Sequence, residues 1–293
     1  MKNRQMIALG RGRPRRIQLV GFLLPLAVLG ACSDTPTYNN TPHATQATVG
    51  KDVTAKVALD IADHERDAGD PAEAVTFYRR ALESNPNQPQ VEVSLGMTLL
   101  QAGSPNEAAD TFRKVLSRFP KDAGAQTGLG MALVQLNQPA AALEPLRRGL
   151  QINPDARGYR ALGVAENLLG QNPEAEADYS RGLALAPGDP GLSNDLGLSM
   201  ALSGNFNGAI AILRPAAAGP NATPRTRQNL ALALGLAGRT EEAGEIARMD
   251  LDEQSVRSNL AYYAVLRGMS PKERTEALLR PAAQAQNPAT VQH

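Results

Sequence analysis

The sequence predicts an all-α solenoid of helical hairpins that repeat every 33 to 34 residues. Small residues recur at one position of this period and prolines recur at another. The two series are Ala62, Gly96, Gly130, Gly163 and Gly197, and Pro86, Pro120, Pro154 and Pro187. A period of this length is typical of stacked pairs of helices. Because one pair cannot bury its apolar face alone, the units are expected to stack into one continuous core.

The first helix of each unit, helix A, is predicted to span about 13 residues and to end at a residue that tolerates a positive φ. These residues are Gly69, Gly103, Asn137, Gly170 and Gly204. Helix B then begins at once. Its start is predicted by an N-cap residue, a proline and a glutamate in two units, Asp70-Pro71-Ala72-Glu73 and Ser104-Pro105-Asn106-Glu107.

Close packing between the two helices is predicted by a small residue in helix A and an alanine in helix B. Large residues four positions after that alanine are expected to fill the gap to the next unit. They are Tyr78, Phe112, Leu146, Tyr179 and Leu213. Two B helices also contain interior prolines, Pro145 and Pro215, which are expected to kink or shorten them.

This pattern resembles the tetratricopeptide repeat, which has Leu-Gly in the first helix, then alanine, an aromatic residue, alanine and a closing proline. The chain departs from it by having no tryptophan. The resemblance implies a right-handed superhelix of antiparallel helix pairs. We place six repeats over 55–253, beginning at 55, 89, 123, 156, 190 and 224, then a degenerate repeat and capping helix over 254–280 and a disordered tail over 281–293.

Residues 1–31 are predicted to be an export signal. They contain six basic residues and no acidic one, followed by an apolar run of about 13 residues from Ile17 to Leu29. The sequence Leu29-Gly30-Ala31-Cys32 then resembles a bacterial lipobox, which implies lipidation of Cys32, the sole cysteine. The alternatives are an incidental cysteine beside an ordinary cleavage site, and a twin-arginine signal at Arg15-Arg16.

Residues 32–54 are predicted to form a flexible tether, because they are rich in Thr, Asn, Ser and Pro without helical periodicity. Ser33 follows the cysteine where bacterial lipoproteins retained at the inner membrane tend to have aspartate. The resemblance therefore implies a lipid anchor at the periplasmic face of the outer membrane. Loss of the signal leaves 24 basic and 29 acidic residues, a balance that disfavours nucleic acid as a partner.

Candidate chemistry is sparse in this sequence. His64 lies four residues after Asp60, a spacing that places both on one helix face, but no third ligand lies at helical spacing and a solvated face is favoured over a metal site. Phosphate-binding loops, nucleophile elbows and Cys/His clusters are absent from the sequence. We therefore predict no enzyme, no metal and no cofactor.

A concave groove lined by the A helices is the predicted functional surface, because positions 2, 5, 9 and 12 of helix A face inward in this repeat family. Methionine suits adaptable apolar contacts, and arginine and asparagine can hydrogen-bond a peptide. The alternative for each residue is packing between neighbouring helices. The candidate partner-binding residues are Met97, Met131, Val134, Arg157, Arg160, Asn167, Asn194, Leu198, Arg225 and Gln228.

The last third of the chain resembles TadD, the repeat lipoprotein family of tight-adherence (Flp) pilus assembly. The similar segments are Leu213-Arg214-Pro215-Ala216-Ala217, 227–234 with Gly238-Arg239, and Asn259-Leu260-Ala261-Tyr262-Tyr263. The resemblance implies a lipid-anchored assembly factor whose partners are proteins of a pilus secretion machine, the secretin among the candidates. The alternatives are a pilotin of another type IV pilus, an outer-membrane biogenesis scaffold, and a periplasmic enzyme with an unrecognised site.

Overall fold

The computed structural model describes residues 55–284, and all regular secondary structure in this range is α-helical. The predicted signal, Cys32 and the tether lie before this range. The helices are α1 (Ala55–Ala68), α2 (Pro71–Ser84), α3 (Pro89–Gln101), α4 (Pro105–Arg118), α5 (Ala123–Gln135), α6 (Pro139–Ile152), α7 (Ala156–Leu168), α8 (Asn172–Leu185), α9 (Pro190–Ser203), α10 (Phe206–Ala218), α11 (Pro224–Leu236), α12 (Thr240–Ala247), α13 (Glu253–Arg267) and α14 (Pro271–Gln284).

The turns between helices A and B form as predicted. Each of the five predicted stop residues has a positive φ, from 57° at Asn137 to 100° at Gly204. After most of them the chain also closes a backbone hydrogen bond typical of a Schellman motif, such as Asp70 N–H to Glu65 C=O at 2.9 Å. The same short turn therefore recurs along the array, and it fixes the antiparallel pairing of each hairpin.

The predicted caps of helix B are only partly correct. Asp70 accepts a hydrogen bond from the Glu73 N–H at 3.1 Å, but the Ser104 side chain makes no cap bond to α4. The A helices carry the more regular caps, which the sequence analysis missed. Asp122, Asp155 and Asp189 each accept from the N–H three residues later at 2.8 Å.

The interior prolines do not shorten their helices as expected. Pro145 lies inside α6, whose 14 residues equal the length of α2, α4 and α8. Pro215 lies inside the 13-residue helix α10. In both helices the tertiary packing of the flanking turns preserves the helix across the missing N–H.

The close packing of the helix pairs follows the predicted small positions. A Cβ atom on Gly96 would lie 2.6 Å from the Phe112 ring, and one on Gly163 would lie 2.7 Å from the Tyr179 ring. Real Cβ atoms do not approach other atoms this closely, so the glycines are required at these positions. The five predicted gap-filling side chains are all buried.

The A helices form the inner layer of the stack. From α3 to α13 each A helix contacts the A helix of the next unit, whereas each B helix packs between two A helices. The A helices therefore present one continuous inner face.

The end of the chain departs from this order. The last A helix, α13, packs on α11 and α12, but α14 does not take the B position beside them and lies on α9 and α7 instead. The sequence analysis predicted a capping helix here but not that this helix would return to earlier units. Helix α14 also runs to Gln284 and so includes the first four residues of the predicted tail.

Candidate partner-binding surface

The ten predicted groove residues separate into two groups in the structure. Six residues are exposed or partly exposed, although the amide nitrogen and oxygen of Gln228 are buried: Met97, Met131, Arg157, Arg160, Arg225 and Gln228. Four are buried: Val134, Asn167, Asn194 and Leu198. The buried four contact other parts of the chain. In this structure they pack between neighbouring helices and are not available to a partner.

Arg160 and Arg225 meet at a carboxylate that the sequence analysis did not single out. Asp195 of α9 is buried and accepts from Arg160 Nε of α7 at 2.6 Å and from Arg225 of α11 at 3.5 Å. The three residues belong to successive A helices and tie units four, five and six together. The sequence did contain a signal for this contact. Asp195 lies 35 residues after Arg160 and 30 before Arg225, and both separations are close to one repeat.

Two predicted groove asparagines also have partners within the chain. Asn194 accepts a hydrogen bond from Asn229 at 2.9 Å, and Asn167 donates to the Tyr179 hydroxyl at 3.1 Å. Asn167 also accepts from Ser199 at 2.9 Å. Because a buried amide must be hydrogen-bonded to avoid a desolvation penalty, these side chains stabilise the stack.

The inner face of the earlier units remains open, in contrast. Met97 of α3 and Met131 of α5 occupy the same position in successive A helices and are partly exposed above the apolar core. Arg157 is the inward residue at the start of α7, the next A helix, and its side chain is exposed. We call Met97, Met131 and Arg157 the open inner surface. It offers flexible apolar contact followed by a positive charge.

Helix α14 lies across the C-terminal ends of the A helices of units four and five. Arg274 is buried and donates to the carbonyl oxygens of Ala201 and Leu202, at the end of α9, at 3.2 and 2.8 Å. Its guanidinium lies 5.0 Å from the centre of the Phe206 ring. Burial lowers the pKa of this guanidinium from its usual range. The sequence carried no local signal for this contact, because it joins residues more than 70 positions apart.

A second pair of contacts fixes the same helix. Thr275 accepts a hydrogen bond from the Asn172 amide at 2.9 Å, and both residues are buried. Leu279 joins the apolar cluster that contains the predicted groove residue Leu198. Helix α14 thus contacts the array where α7 and α9 end and where α8 and α10 begin.

An acidic pair lies in a pocket of about 430 Å³ between α6, α7 and α8. Burial of Glu166 and the neighbouring carboxylate of Asp178 raise the pKa of Glu166 to about 7, although Arg147 donates to Glu166 at 3.0 Å. Asp178 in turn accepts from Arg181 at 2.6 Å. These residues were not predicted, and they give the interior of unit four a group that titrates near neutral pH.

Residues 55–284 contain no cluster of three or more His, Cys, Asp or Glu side chains that could hold a metal ion. His64 is exposed on α1. In the same range no helix is both long and apolar enough to cross a bilayer.

Comparisons with known proteins agree with this architecture. Family profiles described as tetratricopeptide repeat match residues 59–123, 99–164 and 224–249. No curated protein matches the sequence.

Three solved structures are similar in fold. The chain is 25% identical to TTC0263, a thermophilic tetratricopeptide-repeat protein of Thermus thermophilus, with a TM-score of 0.53 over 62% of this chain and 99% of that one. PilW, described as a widely conserved type IV pilus biogenesis factor, is 20% identical with a TM-score of 0.59, over 72% of this chain and 98% of its own. A tetratricopeptide-repeat protein of Parabacteroides merdae is 17% identical with a TM-score of 0.51, over 78% and 98%.

Helical hairpins, small residues at the crossings and repeat profiles at both ends of the described range agree on one architecture. Such an array is a scaffold for protein–protein interaction, because its stacked A helices present an extended inner face. The protein is an all-α tetratricopeptide-repeat solenoid.

Proposed function

We propose that this protein is a lipid-anchored assembly factor of a tight-adherence (Flp/type IV) pilus secretion system, acting as a scaffold for its protein components. The observation that carries the scaffold role is the open inner surface. Partly exposed Met97 and Met131 lie at equivalent positions of adjacent A helices, and the exposed Arg157 follows in the next unit. A surface of this kind fits an extended or helical peptide with apolar side chains and a negative charge.

The pilus assignment is supported by the resemblance of the last third of the sequence to TadD. The fold of PilW is shared over most of this chain, and PilW is described as a pilus biogenesis factor. A likeness at 20% identity concerns the fold, so the assignment to a pilus system depends on the sequence resemblance. Neighbouring genes for a secretin, a secretion ATPase and a small pilin would support it, and genes of an unrelated pathway would contradict it.

The scaffold role is tested by changing the apolar part of the open inner surface. In the double variant Met97→Gln, Met131→Gln, side-chain length is retained while apolar contact is lost. We expect fewer surface pili and less secretin co-purifying with the protein. Met249→Gln is the matched control, because Met249 is 63% exposed and lies in the turn after α12. Normal piliation and normal co-purification in a double variant with an unchanged thermal melt would overturn the proposal.

The anchor is proposed at Cys32, with the protein on the periplasmic face of the outer membrane. Two or more acyl chains are needed for stable anchoring, because a single chain binds marginally. Fatty-acid labelling is expected in the wild type and not in Cys32→Ser, together with release of the variant from the membrane fraction. Equal labelling of the two proteins, or a wild type found in the soluble fraction, would contradict the anchor.

A further inference from the structure

Helix α14 occupies a position that the repeat pattern does not assign to it. It follows α13 through a short turn, yet it lies across α9 and α7, which belong to units two and three places earlier. The helix therefore lies over the C-terminal ends of these A helices, which also form the inner face where the proposed scaffold would receive a partner. This inference depends on that proposed function and extends it.

Arg274 makes the principal contact between α14 and the array. Besides the two carbonyls of α9, its guanidinium donates to Met269 C=O at 3.0 Å and Leu266 C=O at 3.3 Å. The positive charge also lies at the C-terminal end of α9, where the helix dipole favours a cation. The ring of Phe206 supplies a further favourable contact. One side chain thus binds the free carbonyls at the end of an A helix.

The contact at Thr275 is less complete. The Asn172 side chain donates one hydrogen bond to the Thr275 hydroxyl, but its amide oxygen is buried with no hydrogen-bond partner. A single hydroxyl does not satisfy both ends of this amide. A buried polar atom without a partner costs free energy, so an occupant with a second polar atom here would fit better.

The apolar part of the contact is small. Leu279 is buried, whereas Ala277 and Leu278 are only partly buried and the first turn, Pro271 and Lys272, is exposed. The helices beneath retain their own packing, because α9 contacts α8, α10 and α11 as well as α14. Departure of α14 would therefore expose the C-terminal ends of α7 and α9 without removing a layer of the stack.

We propose that the surface at the C-terminal ends of α7 and α9 is a binding site for an amphipathic helix of a partner protein, and that α14 occupies it in cis. The partner helix carries an arginine that reaches the Ala201 and Leu202 carbonyls. The next residue is a hydroxyl or amide side chain facing Asn172, and a leucine follows four positions later, as Leu279 follows Thr275.

Displacement of α14 makes binding to this face conditional. Each tenfold excess of the covered over the uncovered form lowers the apparent affinity for a partner about tenfold. Weakening the Arg274 contact should therefore strengthen binding in trans. The same change should leave Met97 and Met131, in units two and three, unaffected, since α14 forms no substantial interface with α3 or α5.

The test uses the chain from residue 32 onward and a fluorescent peptide with the sequence of residues 269–284. We expect the peptide to bind the Arg274→Ala chain at least about tenfold more tightly than the wild type. Lys272→Ala is the matched control, because Lys272 is an exposed residue of the same helix, and it should bind like the wild type. A peptide in which the residue corresponding to Arg274 is replaced by alanine, with Arg280 retained, should bind neither chain.

Three outcomes would overturn the proposal. The first is an Arg274→Ala chain that is folded by circular dichroism and binds no peptide. The second is equal binding of the peptide that lacks the arginine. The third is a wild-type dimer in light scattering that is lost in Arg274→Ala, a result that would assign the site to a second copy of the chain.

Hydrogen exchange on the wild type gives a second measurement that does not require a variant to fold. We expect the amides of α14 to exchange faster than those of α9 and α13. Exchange of α14 at the rate of global unfolding would show that it never leaves the site and would overturn the proposal. Failure of either measurement leaves the Met97 and Met131 test intact, so the two proposals are distinguished.

Discussion

The inner face of this solenoid differs between its two halves. In units two and three it is apolar and open, with Met97 and Met131 partly exposed. In units four and five it is polar, Asn167, Asn194 and Asp195 are paired within the chain, and α14 lies across the ends of α7 and α9. Inward position in a repeat therefore does not by itself identify a binding residue. A polar residue on this face can bind a partner protein only if no neighbouring unit supplies a side chain that hydrogen-bonds or ion-pairs with it.

The largest effect is expected from reversing a charge in the polar half. Arg160→Glu would place a carboxylate against buried Asp195 and leave only Arg225 to compensate, which should cost about 3 to 4 kcal/mol of unfolding free energy. Arg157→Glu, three residues earlier on the same helix, should stay within about 0.5 kcal/mol because Arg157 is exposed. Denaturant unfolding of both variants measures the difference. Equal losses of unfolding free energy in the two variants would mean that the pairing with Asp195 does not set the polar half of the inner face apart from the open half.

The two halves should respond alike at the helix crossings, since the packing there is the same. Gly96→Leu and Gly163→Leu each force a side chain into an aromatic ring and should each cost about 2 to 3 kcal/mol. Gly268→Ala is the control, because its nearest new contact would be an ordinary 3.5 Å. Thermal melts of the three variants test this expectation. A large loss of stability in only one of the two leucine variants would show that the helix crossings are not packed alike in the two halves.

Stability in the polar half should depend on pH through Glu166. Its pKa is raised to about 7 in the folded chain, above the usual 4.5, chiefly by burial and then by Asp178. The folded state therefore holds a proton that the unfolded state releases, and the free energy of unfolding falls as pH rises between these values. Glu166→Gln should flatten this dependence, whereas Glu174→Gln, at an exposed neighbour, should not. Parallel pH profiles for all three proteins would contradict the assignment.

The smallest effect is expected at the cover itself. Thr275→Val removes the hydrogen bond from Asn172 and should cost about 1 kcal/mol. Thr275→Asn offers a donor and an acceptor to Asn172 and should recover or exceed the wild-type stability. Chemical unfolding monitored at α14 measures both variants, and a stabilising Thr275→Val would show that the bond contributes nothing.

Local chemistry explains which features could be predicted from the sequence. The ends of helix A follow from residues such as Gly69 and Asn137, whose φ depends on their own side chains and immediate neighbours. The crossings follow because Gly163 and Tyr179 recur at a fixed spacing. The pairing of Arg160 with Asp195 needed the relative rotation of two helices, and the docking of Arg274 on α9 needed a contact across 72 residues of chain. The repeat period specifies neither the pairing of Arg160 with Asp195 nor the docking of Arg274.

The return of α14 onto α7 and α9 also changes how this array should fold. A linear solenoid contacts only nearest neighbours, so its units can form and fray one at a time. The hydrogen bond between Asn172 and Thr275 closes a loop of 103 residues, which links unit four directly to the end of the chain. While α14 is docked, units four onward should unfold as one cooperative block, and units one to three should fray from the N-terminal side. The ordering entropy of that loop opposes folding before the contact forms, so the block should also be the slower half to fold.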